Sequence, residues 1–214
     1  MRPQPPDINS QKITWEFLLA AYANGYFPMA DTKDSPILHW MYPEMRGIIP
    51  LESFHIPSSL AKFIKKSPFI ITVNTVFPQV IRACAEMTKQ RDETWINEQI
   101  INLYCELWEY GFAHSIECWQ ESPTKGEDAV LVGGLYGVSI GGAFFGESMF
   151  SRVSNASKVA LVHLVKTLKD SGYTLLDAQF TNDHLKQFGI IEIPRAQYLE
   201  KLKTAIMIKL TECF

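Results

Sequence analysis

The chain has 214 residues, of which 47% are apolar, and it carries a formal charge of −3 at pH 7. This length and composition can bury a sizeable core, and the charge excludes a broadly basic nucleic-acid-binding domain, so any contact with RNA must be local. Because the chain shows neither a signal peptide nor an apolar run long enough to span a bilayer, we predict a cytoplasmic protein without a membrane partner.

Hydrophobic periodicity predicts the elements of the first half of the chain. Apolar residues recur at helical spacing from Trp15, and Gly25 supplies a stop signal. The predicted helices are 15–24, 59–66, 77–87 and 97–110, and the predicted strands are 37–41, 47–50, 69–74 and 113–120. We place a boundary near residue 61, with a small N-terminal subdomain over 1–61 and a larger domain over 62–214.

The second half begins with two strands, 129–136 and 143–150, joined by a return around Gly141 and Gly142. A helix over 156–169, a strand over 173–180, a short helix over 182–188 and a last helix over 194–206 follow. Antiparallel strands followed by a helix and a further strand form an α+β pattern. This pattern is compatible with an acetyltransferase-like mixed sheet.

The four cysteines are far apart, and none belongs to a CxxC motif or a Cys/His cluster. This spacing argues against both a disulfide scaffold and a zinc site, so we predict no metal ion. We expect the thiols to be buried as small apolar groups. The residues are Cys84, Cys105, Cys118 and Cys213.

Two polar clusters follow the predicted strands of the second half. Glu147 and Arg152 flank the point where a strand gives way to a helix, which is where α/β folds usually keep their sites. Asp177 and Gln179 interrupt an apolar strand, and alternation directs both to one face, where they require partners. The alternative for Glu147 is a structural ion pair with Arg152.

These clusters, together with other segments in the same order, resemble the leucyl/phenylalanyl-tRNA–protein transferase family. The resemblance covers roughly residues 17–202, and its collinear motifs are specific when taken together. The matching segments are AYANGYFP (21–28), TWIN (94–97), HSIE (114–117), LVGGLYGV (131–138), GESMFSR (146–152), NDH (182–184) and EIPR (192–195). The resemblance implies an acetyltransferase-like fold for the residues after about 61.

The resemblance also implies an activity. Members of the family transfer leucine, phenylalanine and, less readily, methionine from aminoacyl-tRNA to proteins that begin with Arg or Lys, which marks those proteins for N-degron degradation. The implied partners are charged tRNA and the acceptor protein, with no cofactor, and we take a monomer as the default. An aminoacyl ester is already activated, so such a reaction needs positioning and help with one proton.

By the same resemblance, Asp177 and Gln179 are the expected catalytic residues. Gln179 would orient the attacking amine and donate to the ester oxygen, while Asp177 would hold Gln179 or the amine. Glu147 would attract the cationic acceptor residue. Alternatively, the terminal ribose hydroxyl of the tRNA carries the proton and the protein only arranges the reactants.

The resemblance carries further residues onto substrate sites. The expected pocket for the donated side chain consists of Leu135, Phe144, Met149, Leu161, Leu164 and Leu176. Trp95 would stack on the terminal adenine, with packing against the core as its alternative, although Met29 replaces a second aromatic residue usual in the family. Ser151 and Asn182 are further substrate-binding candidates, and helix capping is the alternative for Asn182. A basic cluster for the tRNA acceptor end would consist of Lys62, Lys65 and Lys66, and the alternative from charge alone is an ordinary solvated helix face.

Two other functions compete with this interpretation. An acetyl-CoA-dependent N-acyltransferase would need a glycine-rich loop at a helix N-terminus, and the segment 151–155 contains no glycine. A non-catalytic binder of charged tRNA ends would use the same aromatic, basic and apolar residues. Such a binder has no need for both Asp177 and Gln179, so Gln179→Ala separates the two functions.

Overall fold

The computed structural model describes residues 13–88, 92–122, 128–210 and 214. Within these ranges the helices are α1 (Trp15–Ala23), α2 (Ser58–Ile64), α3 (Phe77–Ala85), α4 (Glu98–Glu109), α5 (Ala156–Asp170), α6 (Asp183–Lys186) and α7 (Arg195–Ala205). The strands are β1 (Phe27–Ala30), β2 (Leu38–Met41), β3 (Met45–Ile48), β4 (Phe69–Val73), β5 (Ala113–Gln120), β6 (Val130–Ile140), β7 (Ala143–Ser151), β8 (Leu175–Gln179) and β9 (Ile191–Pro194). None of the described helices is both long and apolar enough to cross a bilayer.

Seven strands form one mixed sheet in the order β4-β5-β6-β7-β8-β3-β9. Only the pair β7 and β8 is parallel among these described strands, and the remaining neighbours are antiparallel. Strands β1 and β2 form a separate antiparallel pair. The predicted class, α+β with an acetyltransferase-like mixed sheet, is confirmed.

The sheet extends across the predicted boundary at residue 61. Strand β3 belongs to the segment 1–61, yet it lies between β8 and β9 and pairs with both. Its backbone therefore completes the sheet formed by the later residues. The division into subdomains at residue 61 stays a prediction, and the seven-stranded sheet does not divide there.

The two faces of the sheet bury separate sets of apolar side chains. Helices α1, α3, α4 and α7 cover one face, and α2, α5 and α6 cover the other. Successive strand residues alternate between the faces, as Phe144 and Phe145 do, because side chains of a strand point to opposite sides. Cys84 and Cys118 are buried as expected, Cys105 is only half-buried, and Cys213 lies outside the described residues.

Local signals explain several element boundaries. Thr14 caps α1 by accepting from the N–H of Phe17, and Asn97 caps α4 by accepting from the N–H of Ile100 at 2.8 Å. Gly141 joins β6 to β7 with a φ of +54°, a value that glycine adopts without steric cost. The predicted strand 113–120 is confirmed, but β1 and β9 were not predicted.

Candidate active site

The candidate site lies where two neighbouring strands of the sheet separate. Strands β7 and β8 pair in parallel from Ala143 and Leu175 to Phe145 and Asp177, and β7 then continues to Ser151 without β8. A cavity of about 250 Å³ opens there, with walls from β7, β8 and α5. Its apolar lining comes from Ile49, Leu135, Met149, Leu161, Leu164, Leu176 and Leu185.

Glu147 reaches the cavity from a β-bulge in β7. Tyr136 of β6 faces Ser148 and Gly137 faces Gly146, so Glu147 is the extra residue in the register. A bulge bends its strand and redirects the side chain of the extra residue. Glu147 therefore lies inside the strand, which continues beyond it before the chain turns toward α5.

Three side chains donate hydrogen bonds to the carboxylate of Glu147. The Tyr22 hydroxyl donates to Oε1 at 2.7 Å, the Tyr104 hydroxyl to Oε2 at 3.2 Å, and Nε2 of Gln179 to Oε1 at 2.8 Å. The two tyrosine hydroxyls also lie within hydrogen-bonding distance of each other, and because each carries a single proton, one of them donates either to its partner or to the carboxylate. Burial raises the pKa of Glu147 to about 7, since desolvation outweighs the hydrogen bonds from the tyrosines, which lower it. Both protonation states are therefore populated near neutral pH.

Asp177 is fully enclosed by an arginine and a tyrosine. Arg46 donates through Nε to both carboxylate oxygens, at 2.9 and 3.1 Å, and through Nη2 to Oδ2 at 2.6 Å. Tyr198 donates its hydroxyl to Oδ2 at 2.8 Å. Asp177 is 0% exposed and Arg46 is 1% exposed, so this pair depends on close geometry to offset its desolvation. The carboxylate is therefore occupied by protein donors.

Gln179 connects these two acidic residues. Its backbone N–H donates to Oδ1 of Asp177 at 2.8 Å, and its side-chain amide donates to Glu147. Its φ of +57° lies in the left-handed region, which is uncommon for a residue with a Cβ atom. The structure thus joins Glu147, Gln179 and Asp177 in one hydrogen-bonded group beside the cavity.

The structural alternative for Glu147, an ion pair with Arg152, is wrong. Arg152 donates through Nη2 to the carboxylate of Glu86, at 2.8 and 3.0 Å, and through Nη1 to the carbonyl of Leu131. Its guanidinium also lies over the ring of Phe150, 5.3 Å from the ring centroid. Arg152 therefore links β7 to the end of α3, because Glu86 directly follows that helix.

Most residues predicted for the donor side-chain pocket line the cavity. These are Leu135, Met149, Leu161, Leu164 and Leu176. Phe144 is different, because it is fully buried and packs its ring against Tyr173 and Phe214. Phe144 lies in the core and is not among the described residues of the cavity wall.

Three other predicted substrate-binding residues occupy different positions. Asn182 borders the cavity, and its Oδ1 caps α6 by accepting from the N–H of Leu185 at 2.9 Å. Ser151 is exposed and donates to the carbonyl of Val153 at 2.8 Å. Trp95 is half-buried against the core on the α1 side of the sheet. Of these three residues, only Asn182 is among the described residues that line the cavity.

The predicted basic cluster is exposed at the end of α2. Lys62 lies in the helix, whereas Lys65 and Lys66 follow its last residue, Ile64, so the predicted helix was too long. Across the part of the chain that the structure describes, none of the three ammonium groups forms an ion pair. Among the described residues, no carboxylate therefore pairs with their positive charge.

The arrangement combines an apolar cavity, a titratable carboxyl group and a side-chain amide held in place. Such groups can orient two reactants and assist the movement of one proton. In the described ranges, no three His, Cys, Asp or Glu side chains are grouped so that they could hold a metal ion.

A family model described as leucyl/phenylalanyl-tRNA protein transferase matches residues 48–203, and a model described as the N-terminal domain of the same transferase matches residues 11–44. The chain belongs to this family. A relative from Paramagnetospirillum magneticum, named leucyl/phenylalanyl-tRNA–protein transferase, is 55% identical over 91% of this chain and 90% of its own length. One of the same name from Rhodospirillum rubrum is 50% identical over 92% of this chain and 89% of its own length.

Among solved structures, the crystal structure of FemX is similar with a TM-score of 0.52 and 12% sequence identity. The alignment covers 86% of this chain and 63% of the FemX chain. At this identity the likeness shows a shared fold alone. The family assignment therefore rests on the sequence comparisons.

Four residues of the site were not predicted from the sequence. Tyr22 lies in the family-like segment 21–28 and Tyr104 in the predicted helix 97–110, but neither was given a role in the site, yet their hydroxyl groups contact Glu147. Tyr198 and Arg46 were not singled out, although both bind Asp177. The only signal that the sequence offered was an arginine directly before the predicted strand 47–50. Its partner lies 131 positions away along the chain.

Proposed function

We propose that this chain transfers leucine or phenylalanine from aminoacyl-tRNA to the N-terminal α-amine of an acceptor protein. Its family and the names of its relatives support this aminoacyltransferase activity. The observation that carries the proposal is the apolar cavity bordered by Glu147, which is hydrogen-bonded to Gln179. The apolar walls of the cavity suit the leucine or phenylalanine side chain of the donor, and its few polar groups suit the reacting amine.

The reaction forms a C–N bond between the acceptor amine and the aminoacyl carbonyl carbon and breaks the ester C–O bond. The amine loses a proton, and the departing ribose oxygen gains one. Because the ester is activated and a neutral amine is a good nucleophile, orientation and proton transfer account for the protein's contribution in this scheme. The scheme requires no cofactor.

In this proposal the three central residues have different roles. Gln179 orients the attacking amine through its side-chain amide. Glu147, with a pKa of about 7, attracts the acceptor and takes up a proton. Asp177 holds the backbone of Gln179, because its own oxygens already accept from Arg46 and Tyr198. The ribose hydroxyl of the tRNA is the alternative carrier of the proton.

We further propose that the acceptor begins with Arg or Lys, whose cationic side chain is complementary to the carboxylate of Glu147. Methionine serves as a weaker donor, since its side chain is also apolar and an apolar wall discriminates only modestly between side chains of similar size. Modification of such acceptors marks them for N-degron degradation. We propose a monomer that works in the cytoplasm, where charged tRNA is available.

The tRNA is proposed to contact three parts of the surface. Lys62, Lys65 and Lys66 attract the phosphates of the acceptor end, since they are exposed and form no ion pairs among the described residues. Trp95 stacks on the terminal adenine. Ser151 and Asn182 bind near the aminoacyl group. Phe144 is not part of this proposal, because it lies in the core.

The test is an incubation of the purified protein with labelled Leu-tRNA and one of two peptides. The peptides differ only in their first residue, which is arginine or alanine. We expect label in the arginine peptide and little in the alanine peptide. Absence of transfer to both, with tight binding of Leu-tRNA retained, would favour a non-catalytic binder of charged tRNA ends.

A second measurement assigns the reaction to the site. Gln179→Ala should abolish transfer and leave the affinity for Leu-tRNA within about twofold, because Gln179 acts on the reacting amine. Lys166→Gln is a matched control, since Lys166 is an exposed residue of α5 paired with Asp170. Full activity of Gln179→Ala would remove this residue from the mechanism.

A further inference from the structure

Among the described residues, three that are not glycine have a positive φ: Asn74, Asn155 and Gln179. Asparagine tolerates the left-handed region because its short side chain hydrogen-bonds locally. Gln179 lacks that local compensation, and it carries the side chain proposed to orient the reacting amine. Its backbone conformation must therefore be held by the surrounding structure.

One contact of the Gln179 backbone comes from a side chain. Its N–H donates to Oδ1 of Asp177 at 2.8 Å, and the next peptide N–H, of Phe180, closes a tight turn onto the carbonyl of Ala178 at 2.6 Å. The side-chain amide is fixed separately, by Glu147. The orientation of the Asp177 carboxylate thus controls the backbone that presents the Gln179 side chain.

Tyr198 of α7 fixes that orientation together with Arg46. Its hydroxyl donates to Oδ2 of Asp177 at 2.8 Å and accepts from Nη2 of Arg46 at 3.3 Å. Its ring lies 4.6 Å from the guanidinium carbon, and the residue is 1% exposed. Oδ2 thus accepts from Arg46 and Tyr198, while Oδ1 accepts from Nε of Arg46 and from the N–H of Gln179.

We propose that Tyr198 is a positioning residue for aminoacyl transfer. It acts through Asp177 to keep Gln179 in its left-handed conformation, and so couples the last helix to the reacting groups. This inference rests on the proposed transferase function. The role belongs to the hydroxyl group, because the ring alone could maintain packing and the contact with the guanidinium.

The test is Tyr198→Phe, which removes the hydroxyl and keeps the ring. We expect kcat to fall by about tenfold, the size expected for losing a hydrogen bond to a charged group, with KM for Leu-tRNA within about twofold. Tyr173→Phe is the matched control. Its hydroxyl is also buried and hydrogen-bonded, to Ser139 at 2.7 Å. Tyr173, however, belongs to the apolar side chains on the opposite face of the sheet from Tyr198.

A second readout is independent of transfer. In Tyr198→Phe, hydrogen exchange at the amide of Gln179 should accelerate by about tenfold. The exchange rate of the Ile49 amide, which donates to the carbonyl of Leu176 in β8, should be unchanged. Because exchange is measured on the protein alone, it tests the positioning even if the wild-type protein does not transfer.

Three results would overturn the proposal. The first is an unchanged kcat in Tyr198→Phe, and the second is an equal loss of kcat in Tyr173→Phe. The third is unchanged exchange at the amide of Gln179. Inactivity of the wild-type protein would instead refute the proposed function, while the exchange measurement still decides whether Tyr198 fixes this backbone.

Discussion

At the scale of single residues, the side chain and the backbone of Gln179 can be tested separately. Both Gln179→Ala and Gln179→Gly remove the amide, so each should lower transfer by about 100-fold or more. Glycine adopts the left-handed conformation freely, whereas alanine does not, so Gln179→Gly should be more stable than Gln179→Ala by about 1 kcal/mol. Urea unfolding of the two variants measures this difference. Equal stabilities would mean that the positive φ causes no strain.

Glu147 links stability to pH because its pKa is raised from 4.5 to about 7. The folded protein thus binds this proton more tightly than the unfolded chain does. The resulting stability is fully present below about pH 4.5 and is lost as the pH rises through about 7. Glu147→Gln cannot ionise at this position and so does not lose this stability. The free energy of unfolding of the variant minus that of the wild type should therefore increase by about 2 kcal/mol from about pH 5 to pH 8.

Urea unfolding of both proteins at the two pH values measures this effect. Glu147→Gln also disturbs the hydrogen bonds from Tyr22 and Tyr104. The part of that loss that does not depend on the charge of Glu147 cancels in the comparison, and the charge-dependent part is already contained in the shifted pKa. A difference that does not change with pH would show that Glu147 keeps an ordinary pKa in the folded protein.

At the scale of elements, α5 packs closely on β6 at Gly133. A Cβ atom at this position would lie 2.4 Å from Cβ of Ala156 and 3.1 Å from its carbonyl carbon. Gly133→Ala must therefore displace the start of α5, and we expect a loss of about 1–3 kcal/mol in the free energy of unfolding. Gly146→Ala is the control, because its nearest neighbour, the carbonyl oxygen of Asp177, would lie at 3.4 Å. Similar losses in both variants would contradict this account.

The sequence predicted elements best where local periodicity and caps agree. Helix α4 begins after the capping residue Asn97, and β5 has its predicted bounds, because each pattern is complete within a few residues. Strand β9 was missed, since a four-residue segment ending in proline has little pattern of its own. The bulge at Glu147 was also missed, because it depends on pairing with β6. Local patterns thus determine elements better than they determine pairing.

At the scale of the whole molecule, the site is assembled from segments far apart in the sequence. Arg46 comes from β3 and Tyr198 from α7, and both meet on Asp177 of β8. The sequence pointed to Asp177 and Gln179 because polar residues in an apolar strand require partners. It could not identify those partners, since no spacing rule connects residues that meet only after folding. The ion pair of Glu147 with Arg152 failed for the same reason, as proximity in sequence was mistaken for contact.

The position of β3 leads to a prediction about folding. A chain beginning at residue 62 loses the strand between β8 and β9, together with Arg46, and leaves Asp177 as a buried carboxylate without its cation. Removing one partner of a buried ion pair costs about 3–5 kcal/mol, a large fraction of the stability of a typical domain. We therefore expect the 62–214 fragment to show no cooperative thermal unfolding by circular dichroism, with the full chain as the control. A cooperative transition within a few degrees of the full chain would instead show that residues 62–214 fold as an independent domain.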